Sequence, residues 1–541
     1  MTEQEHSHPS PRFPTPRQRR SDPVVLPDLD LDTTLPASPP RDDAVQFEHP
    51  RDWESTESGE AAEREAAPLQ ERPASPRMTP RAGGSLFAWR YGADAWRLNQ
   101  RLTRRQADLV LRVRSARAIP ASLQARFSSM GLPDDVVDET LGSIRSLDAW
   151  ADAWIETAQR YLGDFRRQVS AGNQVDGARN QAMAALCYHV AQIVTDPRDR
   201  RTATMCRAAA ASLYTRALPY VHPTVTRVEF PWRAKSLPGY LHIPVEGEPG
   251  GRYGLVVILN GASSSKEEAL TWAGPFMRAG LAVLALDSPG TGEAARTAFA
   301  PDQDDILDGV FDLLAADPRM DLSRTVVVGI SLGGNQAIRC AAYDRRIAGV
   351  VAVTAPVEPE RWAGRISPLL GEQLMAMTGQ DASSLMSLAR DLDLAAVLPK
   401  VACPVLVIGA GRDVIVPPGE SQRLAQSLGA LATLDWFGSA GHCVYDHIGT
   451  WTADVARWTT AVFDAQNELA APAVNRAEAS RTVAAVAREA LLASPNVEQA
   501  AWEDDLDEGA RLLDADEILD DDPDWYRPVG EASSLSQPPR S

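Results

Sequence analysis

Cysteine is scarce in this chain. Cys187, Cys206, Cys340, Cys403 and Cys443 are scattered over 541 residues, odd in number and without a C-x-x-C pair. That argues against a disulfide framework or a thiolate metal site and fits a reducing compartment. Positive charge is also short: 54 basic against 73 acidic residues leave a net charge of −19, which argues against a nucleic-acid partner. Long apolar runs are missing as well, since none approaches the ~18 residues that span a membrane. Arg19-Arg20 is followed only by Val24-Val25-Leu26 before Pro27, too short for a signal h-region of about 7–15 residues. The expectation is a soluble, cytoplasmic protein with no membrane partner.

Along the chain, composition changes several times. Residues 1–84 hold 14 of the 40 prolines and few apolar clusters, so they cannot bury enough surface to offset their ordering entropy; a disordered region is expected. Residues 85–222 turn helical. Leu86, Trp89, Trp96, Leu98, Leu102, Leu109, Leu111 and Val113 suggest one or two helices with an arginine-rich polar face from Arg97 to Arg117. Ser146 suits the N-cap of a segment with Trp150, Trp154, Ala158, Tyr161, Leu162 and Phe165 at helical spacing. Helices over 177–194 and 199–218 follow, and His189 lies on the apolar side of the first, as a packed core histidine.

Strand signals occupy 227–230, 239–243, 255–259, 281–286, 325–328, 350–353, 405–408 and 432–436. From Leu255 onward they are mostly continuous apolar runs, as expected for parallel strands covered on both faces. Helical stretches near 266–279, 303–316, 332–342, 419–428 and 450–464 separate most of them. Strand and helix in alternation predict a doubly wound α/β domain over 223–467. A Leu- and Met-rich insertion at about 356–399, including Leu369, Leu370, Leu374, Met375, Met377, Leu385 and Met386, interrupts the alternation as lid helices would. Residues 468–541 begin with a helix at 475–492 and end acidic: 502–526 contain twelve Asp or Glu against Arg511 alone. A solvated, disordered tail is expected there.

The chemistry centres on Thr325-Val-Val-Val-Gly329-Ile-Ser331-Leu-Gly333-Gly-Asn-Gln-Ala337. A strand runs into a serine flanked two residues away on each side by glycine, and a helix follows. A serine presented on such a strained strand-to-helix turn has an exposed hydroxyl at a helix N-terminus. A hydroxyl is a weak nucleophile until a base takes its proton, so an acid and a histidine are needed downstream. Asp413, between the strand at 405–408 and the following helix, is the preferred acid, with Asp435 as its rival. His442, in the loop after the last strand, is the preferred base; His447 competes but is placed in the following helix. For an oxyanion hole, the backbone N–H of Leu332 and that of Ala262 are the expected donors, with Gly261 permitting close approach. Asp287-Ser-Pro-Gly-Thr-Gly-Glu293 lacks the G-K-[ST] of a phosphate loop, so Asp287 is read as structural.

These residues carry a resemblance. Tyr188-His-Val-Ala-Gln192, Asp196-Pro197, Leu237-Pro-Gly-Tyr240, Leu259-Asn-Gly-Ala-Ser-Ser-Ser-Lys-Glu-Glu268, Asp287-Ser-Pro-Gly-Thr-Gly292, Gly329-Ile-Ser-Leu-Gly-Gly334 and Cys403-Pro-Val-Leu-Val-Ile408 resemble the fermentation-respiration switch esterase-like, 2,6-dihydroxypseudooxynicotine hydrolase-like branch of the α/β-hydrolases. The resemblance covers about residues 85–465. It implies an N-terminal helical cap domain over the site, no cofactor or metal, frequent homodimers, and hydrolysis of a C–C bond beside a ketone. It also implies an auxiliary acid after the strand that follows the nucleophile, for which Glu358 and Glu360 are the candidates. The disordered N-terminus and the acidic C-terminus lie outside the family pattern.

The expected function is a serine hydrolase acting on a small-molecule acyl compound. C–C hydrolysis of an aromatic or polyketide-like ketone leads, and ester or thioester cleavage stands close behind. Acyl transfer or cyclisation is a further alternative, as is an inactive scaffold serving as a binding module. Trp150, Trp154 and Met375 are candidates for the pocket wall, with core packing the preferred reading.

Overall fold

The computed structural model describes residues 103–194, 199–244, 252–364, 366, 371, 374–375, 378, 382–469 and 476–493. The expected disordered ends, the apolar residues from Leu86 to Leu102 with Arg97 and Arg101, and Leu369, Leu370 and Met377 lie outside the described residues.

Among the described residues, helices α1 (Arg104–Arg114), α2 (Ala121–Ser129), α3 (Asp134–Ser143), α4 (Trp150–Ser170), α5 (Gln174–Ile193) and α6 (Arg200–Val221) precede the first strand. In α1 the buried face is Ala107 and Leu111, whereas Leu109 and Val113 are 64% and 72% exposed. Positions four apart share one face of a helix, so the two pairs cannot point the same way. Ser146 caps the turn before α4, accepting from Ala149 N, rather than the helix itself. Trp150 and Trp154 pack tilted against Phe127, and Trp150 Nε1 donates to Val190 O at 2.9 Å. Helix α5 is buried on nearly every side from Gly177 to Gln192, as expected of a helix that is apolar or small all round.

The sheet follows in eight strands: β1 (Val225–Trp232), β2 (Lys235–His242), β3 (Tyr253–Leu259), β4 (Ala282–Leu286), β5 (Met320–Ile330), β6 (Ile347–Val353), β7 (Val405–Ala410) and β8 (Ala432–Phe437). Their order is β1-β2-β4-β3-β5-β6-β7-β8. β1 and β2 pair antiparallel, β2 joins β4 antiparallel, and the rest are parallel. The crossovers carry α7 (Lys266–Leu270), α8 (Gly274–Arg278), α9 (Asp308–Leu314), α10 (Leu332–Tyr343), α11 (Glu360–Ala363), α12 (Ala382–Asp391) and α13 (Gly419–Leu428); α14 (Ile448–Leu469) and α15 (Arg476–Leu492) close the described chain.

Strand alternation divides the core in two. Val256, Ile258, Val326, Val328 and Ile330 face a cluster shared with the N-terminal helices and α14. Leu255, Val257, Leu259 and Val327 face the opposite layer with α9 and α10. This two-sided burial is why the parallel strands are continuously apolar. Register then sets the site: Leu259 pairs with Gly329, Gly329 with Ala352 and Val353 with Ile408. The loops leaving β3, β5, β6 and β7 therefore emerge level at one edge, where open α/β sheets hold their ligands.

Candidate active site

β5 ends at Ile330, and Ser331 begins the turn into α10 with φ 53° and ψ −118°. A non-glycine residue there is strained by about 1–3 kcal/mol. The turn is held by Ser331 N donating to Val353 O and Gly334 N donating to Ser331 O, both at 2.8 Å. Its glycines are required by contact. A Cβ on Gly329 would run into the Gly333 carbonyl, one on Gly333 into the Leu259 carbonyl, and one on Gly334 would stand 2.7 Å from Ala355 Cβ.

Ser331 Oγ lies 3.0 Å from His442 Nε2, and His442 Nδ1 lies 2.7 Å from Asp413 Oδ2. Three loops, 111 and 29 residues apart in sequence, thus align one hydroxyl, one imidazole and one carboxylate. Asp413 is itself fixed, accepting from Ile415 N and Val416 N at 2.8 and 2.9 Å. Burial alone would lower the His442 pKa, but the Asp413 carboxylate outweighs it and raises the value to about 10. Thr354, at the end of β6 with φ 44°, supports the same imidazole. Its Oγ1 accepts from Cys443 N at 3.2 Å and stands 3.4 Å from His442 Nδ1. Cys443 and Val444 both take left-handed conformations in that turn. Neither Thr354 nor this backbone has a recognisable sequence signal, because β-branched residues are poor predictors of positive φ.

The loop after β3 passes beside the serine. A Cβ on Gly261 would be 3.2 Å from Ile330 O and 3.5 Å from Ser331 Cβ. Among the described residues, the N–H groups of Leu332 and Ala262 meet no protein acceptor. Behind this loop lies a buried charge network. Lys266 Nζ meets Glu267, Asp287 and Glu293 at 2.6, 3.0 and 2.7 Å. Burial would lower the Lys266 pKa, and the surrounding carboxylates, Asp287 foremost, outweigh it and raise it instead. Asp287 also accepts from Lys266 N, Asn260 Nδ2 and Glu293 N. That bonding supports its reading as a structural residue that orients the loop.

Above the serine, Phe299, Leu332, Leu388 and Leu392 form an apolar cluster with Ala262, Leu374 and Leu385 against it. Four of these come from the 356–399 insertion. Its base is tied to α10, because Asn335 Nδ2 donates to Pro356 O and Leu392 O at 2.9 and 2.8 Å.

The remaining predicted residues stand elsewhere. Glu358 faces Arg361 and Arg423, each at 3.2 Å, and Glu360 is half exposed beside Arg390. Asp435 is buried on β8, where burial raises its pKa to about 6, and it has no bond to His442. His447 packs tilted against Phe437 and precedes α14 rather than belonging to it. His189 is a buried, bonded histidine. Trp150 and Trp154 belong to the helical core. Among the described residues, no set of three or more His, Cys, Asp or Glu is gathered to hold a metal, and no helix is long and apolar enough to cross a membrane.

Known proteins share this arrangement of helices and sheet. A model for FrsA-like esterases matches residues 124–359, across the N-terminal helices and the sheet through β6. The chain has the α/β-hydrolase fold and is similar to FrsA-like esterases over these residues. A prolyl oligopeptidase family model matches residues 272–466 of this hydrolase, the region that contains Ser331, Asp413 and His442. The hydrolase is 27% identical to the 2,6-dihydropseudooxynicotine hydrolase of Paenarthrobacter nicotinovorans, over 49% of this chain and 71% of that one. It is 22% identical to the esterase FrsA of Vibrio cholerae, over 51% of this chain and 71% of that one. The crystal structure of a 2,6-dihydroxy-pseudo-oxynicotine hydrolase shares the fold, with a TM-score of 0.56 and 24% identity over 63% of this chain and 96% of that one.

Proposed function

We propose that this enzyme hydrolyses an ester of an apolar carboxylic acid through Ser331, His442 and Asp413. The observation that carries the reading is the aligned hydroxyl, imidazole and carboxylate at 3.0 and 2.7 Å. Ser331 Oγ attacks the carbonyl carbon as His442 Nε2 takes its proton. The carbonyl oxygen becomes an oxyanion between Leu332 N and Ala262 N, where each donor is worth about 2.7–4 kcal/mol. Collapse breaks the acyl–oxygen bond, and the imidazolium protonates the departing alcohol. Water, deprotonated by the same imidazole, then releases the acid and restores Ser331. Asp413 fixes the tautomer and balances the imidazolium charge.

The cluster of Phe299, Leu374, Leu385 and Leu388 supports an apolar acyl group. A second reading, C–C hydrolysis beside a ketone, is favoured by the similarity to the 2,6-dihydropseudooxynicotine hydrolase. It calls for an additional acid, and the carboxylates of Glu358 and Glu360 are engaged with arginines instead. The N-terminal helices serve in either reading as a cap on the site.

Labelling with a fluorophosphonate, followed by kcat/KM for p-nitrophenyl esters and for aryl β-diketones, tests both readings. Label on Ser331 with preference for esters is expected. Label with preference for the diketones would move the assignment to C–C cleavage, and no label on Ser331 would defeat both.

A further inference from the structure

We propose that Arg126 is a positioning residue for hydrolysis: from α2 it fixes the loop bearing Ala262 and the turn bearing His442, so the N-terminal helices complete the oxyanion hole as well as cover it. This inference rests on the serine-hydrolase reading above.

Arg126 directs its whole guanidinium at one segment, residues 263–268. Its Nε and Nη2 donate to the two oxygens of Glu268, both at 2.8 Å. Nη1 donates to Ser263 Oγ at 3.0 Å, and Nη2 reaches Ser263 O at 3.1 Å and Ser264 Oγ at 3.2 Å. Ser264 N closes a turn onto Gly261 O at 3.2 Å, with Ala262 and Ser263 as its central residues. Holding both the hydroxyl and the carbonyl of Ser263 therefore fixes the turn on which Ala262 N–H is aimed. Helix α5 adds two supports to the same segment: His189 bridges Glu268 and Ser265 at 3.0 and 3.1 Å, and Gln192 Nε2 donates to Ser263 O at 3.3 Å.

The other half of the site touches the same guanidinium. Arg126 lies over the ring of Tyr445, 5.7 Å from its centroid, three residues after His442. One turn earlier on α2, Ser122 packs directly against Gly441. A single helix thus spans the donor loop, which follows the central strand β3, and the general base, which follows the edge strand β8. Glu268 is fully buried, and burial alone would raise its pKa; Arg126 outweighs this and holds it at about 2. The pair is therefore charged in the folded enzyme. A bidentate Arg–carboxylate fork defines orientation as well as attraction, and small displacements at a reacting centre cost up to about 10²-fold in rate.

A buried ion pair that only docked one layer on another would affect melting, not the chemical step. The test uses the full chain with p-nitrophenyl butyrate and a fluorophosphonate, which also builds negative charge on an oxygen at Ser331. Arg126→Met/Glu268→Gln removes both charges so that neither is left buried alone. Arg126→Lys keeps the charge but loses the fork. For each variant that melts cooperatively, kcat and the labelling rate should fall together, by about 10–100-fold for the double variant and by at least about fivefold for Arg126→Lys, with KM within about threefold. Wild-type kcat and labelling in a folded Arg126→Lys or double variant would overturn the proposal. Ser331→Ala separates the two ideas: if it stays active, the serine-hydrolase reading fails whatever Arg126 does.

Discussion

Gly441 lies against Ser122, so close that a Cβ on the glycine would overlap the serine side chain. The first residue begins the turn that carries His442, and the second belongs to α2, more than three hundred residues earlier in the chain. Gly441→Ala should therefore displace either α2 or the His442 turn and lower kcat by about tenfold or more. Ser122→Gly opens the space, so Gly441→Ala/Ser122→Gly should recover most of that loss. Steady-state kinetics on the three variants checks the pairing. A Gly441→Ala enzyme with unchanged kcat would show that the turn tolerates the shift.

Ser331→Ala removes only a hydroxyl at a turn whose backbone bonds are independent of it. Turnover should fall by about 10³-fold or more with the melting temperature nearly unchanged. His442→Ala should lose a similar factor, and the double variant little more, because the two groups act as a unit. A purified Ser331→Ala enzyme retaining a tenth of the wild-type rate would remove the serine from its role.

The raised pKa of His442 has two consequences with opposite signs for activity and stability. With His442 as the proposed base, catalysis needs the neutral imidazole, so kcat/KM should climb with pH beyond the ordinary imidazole value of about 6.5. Folding gains from the imidazolium beside Asp413: that contribution is fully present below the unfolded pKa and is lost as pH rises toward about 10. The melting temperature of wild type, relative to His442→Gln, should therefore decline from pH 7 to 10 while kcat/KM rises. Asp413→Asn should move the activity limb to lower pH and reduce the rate by about 10³–10⁴-fold. A flat wild-type profile over this range would place the charge balance elsewhere.

How much of this was legible beforehand follows from locality. The elbow at Gly329–Gly333 was readable because strand, glycines and helix are adjacent, and its glycines are dictated by contacts within a few residues and with β3. Most of the parallel strands from Leu255 onward were readable from composition, since two-sided burial demands continuous apolar runs. Asp413 and His442 follow from chain order once the serine is placed. What escaped was long-range. Lys266 sits in a sequence that looks like an exposed helix start, yet it is fully buried among three carboxylates. Arg126 stands in no motif, and only its meeting with Glu268, 142 residues away, gives it meaning. The tryptophans agree with their preferred reading: helical spacing fits a pocket wall as well as a core, and Trp150 and Trp154 pack in the core against Phe127.

The last prediction concerns the acyl group. Phe299 comes from the loop before α9, Leu388 from α12, and Leu332 directly follows Ser331; all three meet in one apolar cluster beside Ala262. Leu332 and Ala262 are also the proposed oxyanion donors, so an acyl chain whose carbonyl sits between their N–H groups must extend along these side chains. Shortening one of them should lengthen the chain that fits. Each added methylene that finds room gains about 0.8 kcal/mol, close to fourfold in kcat/KM. Leu388→Ala or Phe299→Ala should therefore shift the preferred p-nitrophenyl ester by about two to four carbons toward longer chains. Ser331 labelling by a small fluorophosphonate should stay within about threefold of wild type, because neither side chain touches the reacting atoms. Both variants remove buried bulk, so melting temperatures will fall. The diagnostic readout is the ratio of kcat/KM for octanoate to that for butyrate, which a loss of stability alone leaves unchanged. An unaltered ratio in both variants would show that the acyl chain runs in another direction from Ser331.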